Sequence, residues 1–158
     1  MKKCLIRYGM SLVVVFLLAG AGRLQAQEVS APGSIPKGDK APAAYFTGDV
    51  WVYPLGIDSA AHWLTAKVTF APGAHSNWHK HPGAQVLVIT DGVGYLKEKG
   101  KPVRVLHKGD VVTIPAGVEH WHGAKPDSGL VQIVVNPDIS KGVTNWGTRV
   151  SDEQYHKP

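Results

Sequence analysis

Two short segments of the sequence carry pairs of histidines that could bind a metal. Each segment holds a His-x-His pair, His79 with His81 and His120 with His122. In an extended strand, residues two apart point to the same side, so the imidazoles of each pair project together. Neutral imidazoles bind manganese, iron, copper and zinc, and a site with few protein ligands leaves positions open for a substrate. The pattern predicts one metal site that draws on both segments.

The residues around these histidines form short apolar or alternating runs that turn residues separate. We predict strands over 44–46, 50–53, 63–70, 85–90, 94–98, 103–106, 111–114, 120–122 and 130–135, and one helical turn over 151–155. Turn residues such as Asp91-Gly92 lie between the runs, and no apolar period of 3.6 residues intervenes. Strands at this close spacing are typical of an all-β sandwich or barrel.

The first 26 residues have the pattern of a cleaved export signal. Lys2, Lys3 and Arg7 precede an apolar run over 10–22, and Ala26 offers a small residue for cleavage. A membrane anchor is the alternative, but a spanning helix needs ~20 apolar residues. The run over 10–22 has only 13. We therefore expect signal peptide 1–26, flexible N-terminal arm 27–42 and a folded domain 43–158, in a periplasmic or secreted protein. Cleavage removes Cys4, which excludes disulfides and Cys-ligated zinc from the mature chain.

The charge of the mature chain excludes two classes of partner. The full chain has a formal net charge of +5, yet the residues from Gln27 onward carry 13 basic and 12 acidic side chains. A balanced surface lacks the basic excess that nucleic-acid or anionic-membrane binding requires. We expect no nucleic acid and, after signal cleavage, no membrane. The expected partners are a small-molecule substrate and other copies of the chain, in a dimer or tetramer.

The first histidine segment resembles the first motif of the cupin superfamily. That motif reads Gly, five residues, His-x-His, three or four residues, Glu, six residues, Gly. Its positions correspond here to Gly73, His79, His81, Gln85 and Gly92, with Gln85 where Glu is usual.

The second histidine segment resembles the second cupin motif, which reads Gly, five residues, Pro-x-Gly, two residues, His, three residues, Asn. Gly109, Pro115, Gly117 and His120 match, and Ala124 replaces the Asn. Together the two motifs cover about residues 43–135. The resemblance implies a double-stranded β-helix, a small jelly-roll-like barrel. It also implies the ligand set His79, His81, Gln85 and His120.

A closer resemblance is to small bacterial cupins that act as manganese-dependent hydroxynitrile lyases. That group has Gln at the position of Gln85, and its second motif ends in His-Trp-His-Gly-Ala, as 120–124 do here. The resemblance implies Mn²⁺ as cofactor, with Fe²⁺ or Zn²⁺ as alternatives, and cleavage of cyanohydrins such as mandelonitrile to aldehyde and cyanide. The chain departs from that group at Gln132, a position where the group can carry a pocket histidine.

Gln85 has a physical consequence for the predicted site. Three imidazoles and an amide are neutral, so they leave the full +2 charge of the ion uncompensated, whereas a glutamate would reduce it to +1. The uncompensated ion polarises a bound oxygen more strongly. Such a site favours an alkoxide or cyanide anion, although the amide is the weaker ligand.

The remaining polar residues near the motifs receive separate predictions. His122 is predicted to transfer the proton, with pocket lining as the alternative. Gln132 and Asn136 are predicted to contact substrate, although Gln132 could instead face outward on a half-buried strand. We expect His75 and His107 to be solvated in turns. The tryptophans are expected in the core or an interface.

Three functions remain open from the sequence. The first is a lyase acting on cyanohydrins. The second is a dioxygenase of the quercetinase type, which usually keeps the glutamate ligand, so Gln85 counts against it. The third is a non-enzymatic cupin that binds a small ligand or a metal.

Overall fold

Alternating apolar side chains give the longest strands one buried face. In the strand Leu130–Asn136 every second residue is buried, and the residues between are half-buried. This period of two is the pattern of a sheet with one face against a core. The computed structural model describes residues 35–156, so the predicted signal peptide 1–26 lies outside the described residues.

The described residues form antiparallel strands and one short helix, which confirms the predicted all-β class. In chain order they are β1 (Asp39–Lys40), β2 (Phe46–Thr47), β3 (Val50–Asp58), β4 (Trp63–Phe70), β5 (His75–Ser76), β6 (His79–Lys80), β7 (Gln85–Glu98), β8 (Arg104–His107), β9 (Val111–Ile114), β10 (His120–Ala124), β11 (Leu130–Asn136), β12 (Asn145–Trp146) and α1 (Asp152–His156).

The long strand β7 joins the two halves of the curled sheet. Its first half pairs with β11 and β9, and its second half pairs with β10 and β8. The sheet order is β1-β3-β4-β11-β7-β10-β5-β2, with β6 and β12 paired beside β10. This arrangement wraps the sheet around an interior that both histidine motifs face.

The turn predicted at Asp91-Gly92 is instead a bend within β7. Gly92 has a φ of 76°, and a Cβ there would collide with the carbonyl oxygen of Gly129. The register to β11 also shifts between Val131 and Gln132. Glycine therefore allows one strand to bend sharply enough to serve both halves, where the sequence indicated two strands.

The end of the predicted flexible arm pairs with the sheet. Asp39 and Lys40 form β1 against β3, and the Lys37 ammonium lies 3.1 Å from the centre of the Trp51 ring. Gly38 has a φ of 95°, and a Cβ there would collide with the backbone of Val52. The described part of the arm therefore differs from the expected loose segment.

Other strand predictions agree with the structure to different degrees. The predicted strands 63–70 and 111–114 have the observed bounds, whereas of 44–46 only Phe46 is in a strand. The short strands β1, β5 and β12 have no clear alternation and were not predicted. The predicted helical turn forms α1, where the Ser151 hydroxyl accepts a hydrogen bond from the Gln154 N–H and caps the helix.

Two apolar clusters support the barrel. The larger one fills the interior and includes Phe70, Leu87 and Ile114. The smaller one lies on the outer side of β10, where Trp121 packs with Trp78 and with Tyr155 of α1. Among residues 35–156, no helix is long and apolar enough to cross a membrane.

Candidate metal centre

Strand pairing brings the two histidine motifs together at one end of the barrel. Strand β10 pairs with β6 so that His120 lies opposite His79. Gln85 is the first residue of β7 and is buried at the same end. The structure thus gathers residues that lie more than thirty positions apart in the sequence.

Three of the motif histidines have the same orientation. The Nδ1 atom of each donates to a backbone carbonyl, which holds the ring and leaves Nε2 with a free lone pair. The pairs are His79 with Asn77 (2.9 Å), His81 with Val143 (2.7 Å) and His120 with Val118 (2.9 Å).

The imidazoles are close enough to share one ion. Ligand nitrogens of His79, His120 and His122 all lie within 4.8 Å of one another. His81 is beside them, with its ring centre 5.1 Å from that of His79 and 5.4 Å from that of His120. Its Nε2 atom is buried without a hydrogen-bond partner. By distance alone, His122 could therefore be a ligand too, although the predicted ligand set does not include it.

The contact between Gln85 and His120 fits a cation. The Gln85 Oε1 atom lies 3.2 Å from the His120 Nε2 atom. Because Nδ1 of His120 donates its hydrogen to Val118, Nε2 of the neutral ring is an acceptor, as is the amide oxygen. Two facing lone pairs repel unless a cation lies between them. The residues present therefore fit a divalent metal, which would bind both atoms.

Burial keeps these imidazoles neutral. Desolvation lowers the pKa of His120 from 6.5 to about 4. It also lowers the pKa of His79 and of His122 well below the ordinary value, and the neighbouring imidazoles lower both further. Burial lowers the pKa of His81 as well, against a hydrogen bond to Val143. Neutral imidazole is the form that binds a metal, so the site is prepared for one near neutral pH.

His122 has different surroundings from the other three. Its Nδ1 atom lies 3.1 Å from Nε2 of Gln132, and its ring packs edge-on against Phe70 with 5.8 Å between ring centres. Its backbone N–H donates to the Ser76 hydroxyl at 3.2 Å. Among the described residues, no backbone carbonyl accepts a hydrogen bond from its ring. The ring of His122 therefore contacts two of the other imidazoles of the candidate site as well as the apolar interior.

The two predicted substrate contacts have different positions. Asn136 lines the central cavity, and its Oδ1 atom is buried without a partner. Gln132 is fully buried, but it contacts His122 rather than the cavity. Asn136 and Gln132 therefore both stay predicted substrate contacts, the first along the cavity wall and the second against His122.

A cavity of about 140 Å³ opens beside the histidines. His79, His81, Gln85 and His122 lie along its polar side. Its remaining wall is mostly apolar and includes Phe46, Val52, Leu64, Val68, Val134 and Trp146. The cavity can therefore hold an apolar group next to a metal-bound polar group.

One wall of the site was missed by the sequence analysis. Trp146 lies with its ring centre 5.0 Å from that of His79 and stacks on Tyr45 at 4.6 Å. Val143 supplies the carbonyl that orients His81. The segment 140–147 has neither motif spacing nor an apolar period, so only its pairing with β6 brings it to the site.

The prediction that His75 is solvated is wrong. Its side chain is buried in β5, its ring stacks on Tyr155 with 4.2 Å between centres, and its Nδ1 atom donates to the Gly73 carbonyl. Tyr155 comes from the distant helix α1, which the local sequence could not indicate. His107 is exposed as expected, although it ends β8 rather than lying in a turn.

Comparison with known proteins matches the part of the chain that carries the candidate site to a domain family. The Cupin domain family profile matches residues 66–136. The (R)-mandelonitrile lyase of Granulicella tundricola is 38% identical over 131 residues, which span 82% of this chain and 99% of that enzyme.

Two further relatives are similar over different lengths. A cupin-like protein from Thermotoga maritima has a crystal structure that superposes with a TM-score of 0.75 at 44% identity, covering 77% of this chain and 93% of that one. The acireductone dioxygenase of Parvibaculum lavamentivorans is 32% identical over 65 residues, or 38% of this chain and 35% of that enzyme.

Proposed function

Because the chain belongs to the cupin family, we propose that it is a metal-dependent lyase that cleaves small cyanohydrins to an aldehyde and hydrogen cyanide. The observation that carries the proposal is the wholly neutral donor set, in which the amide of Gln85 stands where a carboxylate would reduce the charge of the ion. The similarity to a mandelonitrile lyase over nearly its entire length supports the same reaction.

The proposed ligands are His79, His81, His120 and Gln85, with Mn²⁺ as the proposed ion. When bound, the ion would supply Lewis-acid stabilisation of the anion that forms as the cyanohydrin breaks. The chain's own contribution is to keep the donors uncharged. Burial lowers the pKa of each imidazole, so none competes for the site as a cation near neutral pH.

The cavity would select the rest of the substrate. A volume of about 140 Å³ is close to the ~150 Å³ of a protein cavity that holds benzene. Phe46 and Trp146 offer aromatic faces, and Val68 and Val134 offer apolar contacts. This wall suits an aromatic or branched aliphatic side chain on the cyanohydrin carbon, and it leaves little room for bulk water.

His122 would move the proton. Its imidazole faces the cavity and is held neutral because burial lowers its pKa. In cleavage the ring accepts the hydroxyl proton, the bond between carbon and cyanide breaks as the carbonyl forms, and the protonated ring returns the proton to cyanide. Asn136 would hydrogen-bond substrate at the cavity wall.

Cleavage of mandelonitrile by the purified protein tests the proposal. Benzaldehyde release should require a bound metal, should stop after chelation, and should return on adding Mn²⁺. Absence of release from protein that holds a full complement of Mn²⁺ would contradict the proposed lyase.

The variant Gln85→Glu tests the observation behind the proposal. The carboxylate should bind metal at least as tightly, yet the less charged site should lower turnover by about tenfold or more, which corresponds to ~1.4 kcal/mol of transition-state stabilisation. Metal content measured with turnover separates the two effects. Unchanged or raised turnover would show that the neutral ligand set does not matter.

A dioxygenase is the second candidate. The similarity to an acireductone dioxygenase and the histidine-rich site favour it, whereas Gln85 removes the carboxylate that could serve as a base. Oxygen uptake by the Fe²⁺-loaded protein with an enolised or catechol-like substrate distinguishes this activity from cyanohydrin cleavage. A protein that binds metal but shows neither activity would be the non-enzymatic cupin.

A further inference from the structure

The hydrogen bonds of the four interior histidines fall into two opposite types. In His79, His81 and His120, Nδ1 faces a carbonyl oxygen, so it must carry the hydrogen. In His122, Nδ1 faces the amide nitrogen of Gln132 at 3.1 Å. An amide –NH₂ only donates, so Nδ1 of His122 must accept, and the ring hydrogen lies on Nε2.

This tautomer changes what His122 can bind. Nδ1 uses its lone pair on Gln132, and Nε2 carries a hydrogen, so neither nitrogen has a lone pair for a metal. We infer that Gln132 is a positioning residue that sets the tautomer of His122 and keeps this imidazole out of the metal's ligand set.

Distance alone does not keep His122 away from the ion. One of its nitrogens lies within 4.8 Å of the ligand nitrogens of His79 and His120. Its ring is also nearly parallel to that of His120, at 17° and 5.8 Å between centres. A fourth imidazole could therefore enter the site, and the contact with Gln132 is what distinguishes His122 from the others.

Gln132 is held where this role needs it. The residue is fully buried in β11, and it pairs with Val68 on one side and Ile89 on the other. Its Oε1 atom has no hydrogen-bond partner. Within the described residues, the Gln132 amide thus makes its side-chain hydrogen bond to His122.

The unpaired oxygen also gives the amide a second use, which rests on the proposed lyase function. For the ring to accept a proton from substrate, Nε2 must first give its hydrogen to solvent while Nδ1 takes a proton from solvent, and the amide must turn over so that Oε1 accepts from Nδ1–H of His122. Nε2 then has the free lone pair that accepts the hydroxyl proton of the substrate. The turn exchanges one buried hydrogen bond for another. Gln132 would thus hold the resting ring as a hydrogen-bond donor and then support the protonated ring.

Nitrogen-15 NMR of the imidazoles tests the tautomer without any activity. In metal-free protein at neutral pH, His122 should be an Nε2–H ring, whereas His79, His81 and His120 should be Nδ1–H rings. The His122 signals are identified by their loss in His122→Ala. On adding Zn²⁺, which is diamagnetic, the Nε2 signals of the three ligands should shift and the Nε2–H of His122 should remain.

Two variants and a control separate positioning from packing. Gln132→Met keeps the volume and removes the hydrogen bond, so His122 should lose its Nε2–H preference and its nitrogen should shift with Zn²⁺. Gln132→Glu presents only acceptors and should convert His122 to an Nδ1–H ring. Asn136→Leu removes the other buried amide of β11 and should leave the His122 signals unchanged.

An Nδ1–H ring in wild-type protein, or an unchanged His122 tautomer in folded Gln132→Met, would overturn the inference. The wild-type spectrum decides the first point even if the variants do not fold. Failure of the lyase proposal looks different: the spectra keep the expected tautomers while mandelonitrile is not cleaved.

Discussion

Two groups of buried aromatic rings lie on opposite faces of β10, one at the candidate metal site and one in an apolar cluster. On the inner face, His120 and His122 lie with His79 around a polar end of the cavity. On the outer face, Trp121 packs with Tyr155 and with His75, which is as buried as the inner histidines. Burial lowers the pKa of His75 just as it lowers that of His120.

The difference lies in what surrounds each ring. His75 lies flat on Tyr155, and the Tyr155 hydroxyl donates to the Ala124 carbonyl at 2.7 Å, so the outer group ties α1 to the sheet. The inner rings instead direct several nitrogens and an amide oxygen at one point. Convergence of possible ligand atoms, rather than burial or a lowered pKa, distinguishes the candidate metal site from the outer group.

Removal of an inner ring should have the largest effect. His79→Ala should remove the bound metal, because the remaining two imidazoles and one amide hold a labile dication weakly. Metal analysis of the purified variant checks this. The matched control is His75→Ala, which deletes an equally buried imidazole on the outer face and should keep the metal. Normal metal content in His79→Ala would contradict the ligand assignment.

Removal of His122 should affect turnover but not metal. His122→Ala should keep the fold and the ion and lose ~10²–10⁴ in rate, the typical contribution of a group that transfers a proton. Metal analysis and the mandelonitrile assay on one preparation measure both. Equal metal loss in His122→Ala and His120→Ala would make His122 a ligand, and the proton would then need another acceptor.

Acid should destabilise the metal-free protein. The pKa of His120 is about 4 in the folded chain, below its ordinary value of 6.5. The unfolded chain therefore binds the proton more readily, so the free energy of unfolding falls as pH falls from 6.5 towards 4. Protonation of His120 alone should lower the free energy of unfolding by about 3 kcal/mol. Urea unfolding followed by tryptophan fluorescence over this range measures the loss, and a flat profile would contradict it.

The outer group should show the smallest effect, and only on stability. Tyr155→Phe removes the hydrogen bond to Ala124 and keeps the ring on His75, so it should cost about 1 kcal/mol of unfolding free energy. Metal content and turnover should stay at the wild-type level. A loss of metal in this variant would show that the outer face helps to position the inner one.

Much of the site follows from local spacing. The His-x-His pairs lie in extended chain, so each pair had to share a face, and the cupin motif spacing identified Gln85 as their neighbour. The strands 63–70 and 111–114 follow from alternation, because the strand period is a property of the local chain. The all-β class follows from the same signal.

Other features depend on contacts that no local pattern encodes. Trp146 and Val143 reach the site because β12 pairs with β6, and His75 is buried because α1 returns to cover it. The strand β7 runs through Gly92, where the sequence indicates a turn, since the fold needs one bent strand in both halves.

The sequence by itself determined which residue types could bind a metal and which of them share a face. The tertiary structure decided which of them meet and in which chemical state. Gln132 shows the reason: it lies ten residues from His122 along the chain, and only the packing of β11 against β7, which also pairs with β10, brings its amide to Nδ1. The donor and the acceptor of this hydrogen bond come from different strands, so its direction is fixed only once those strands have packed together.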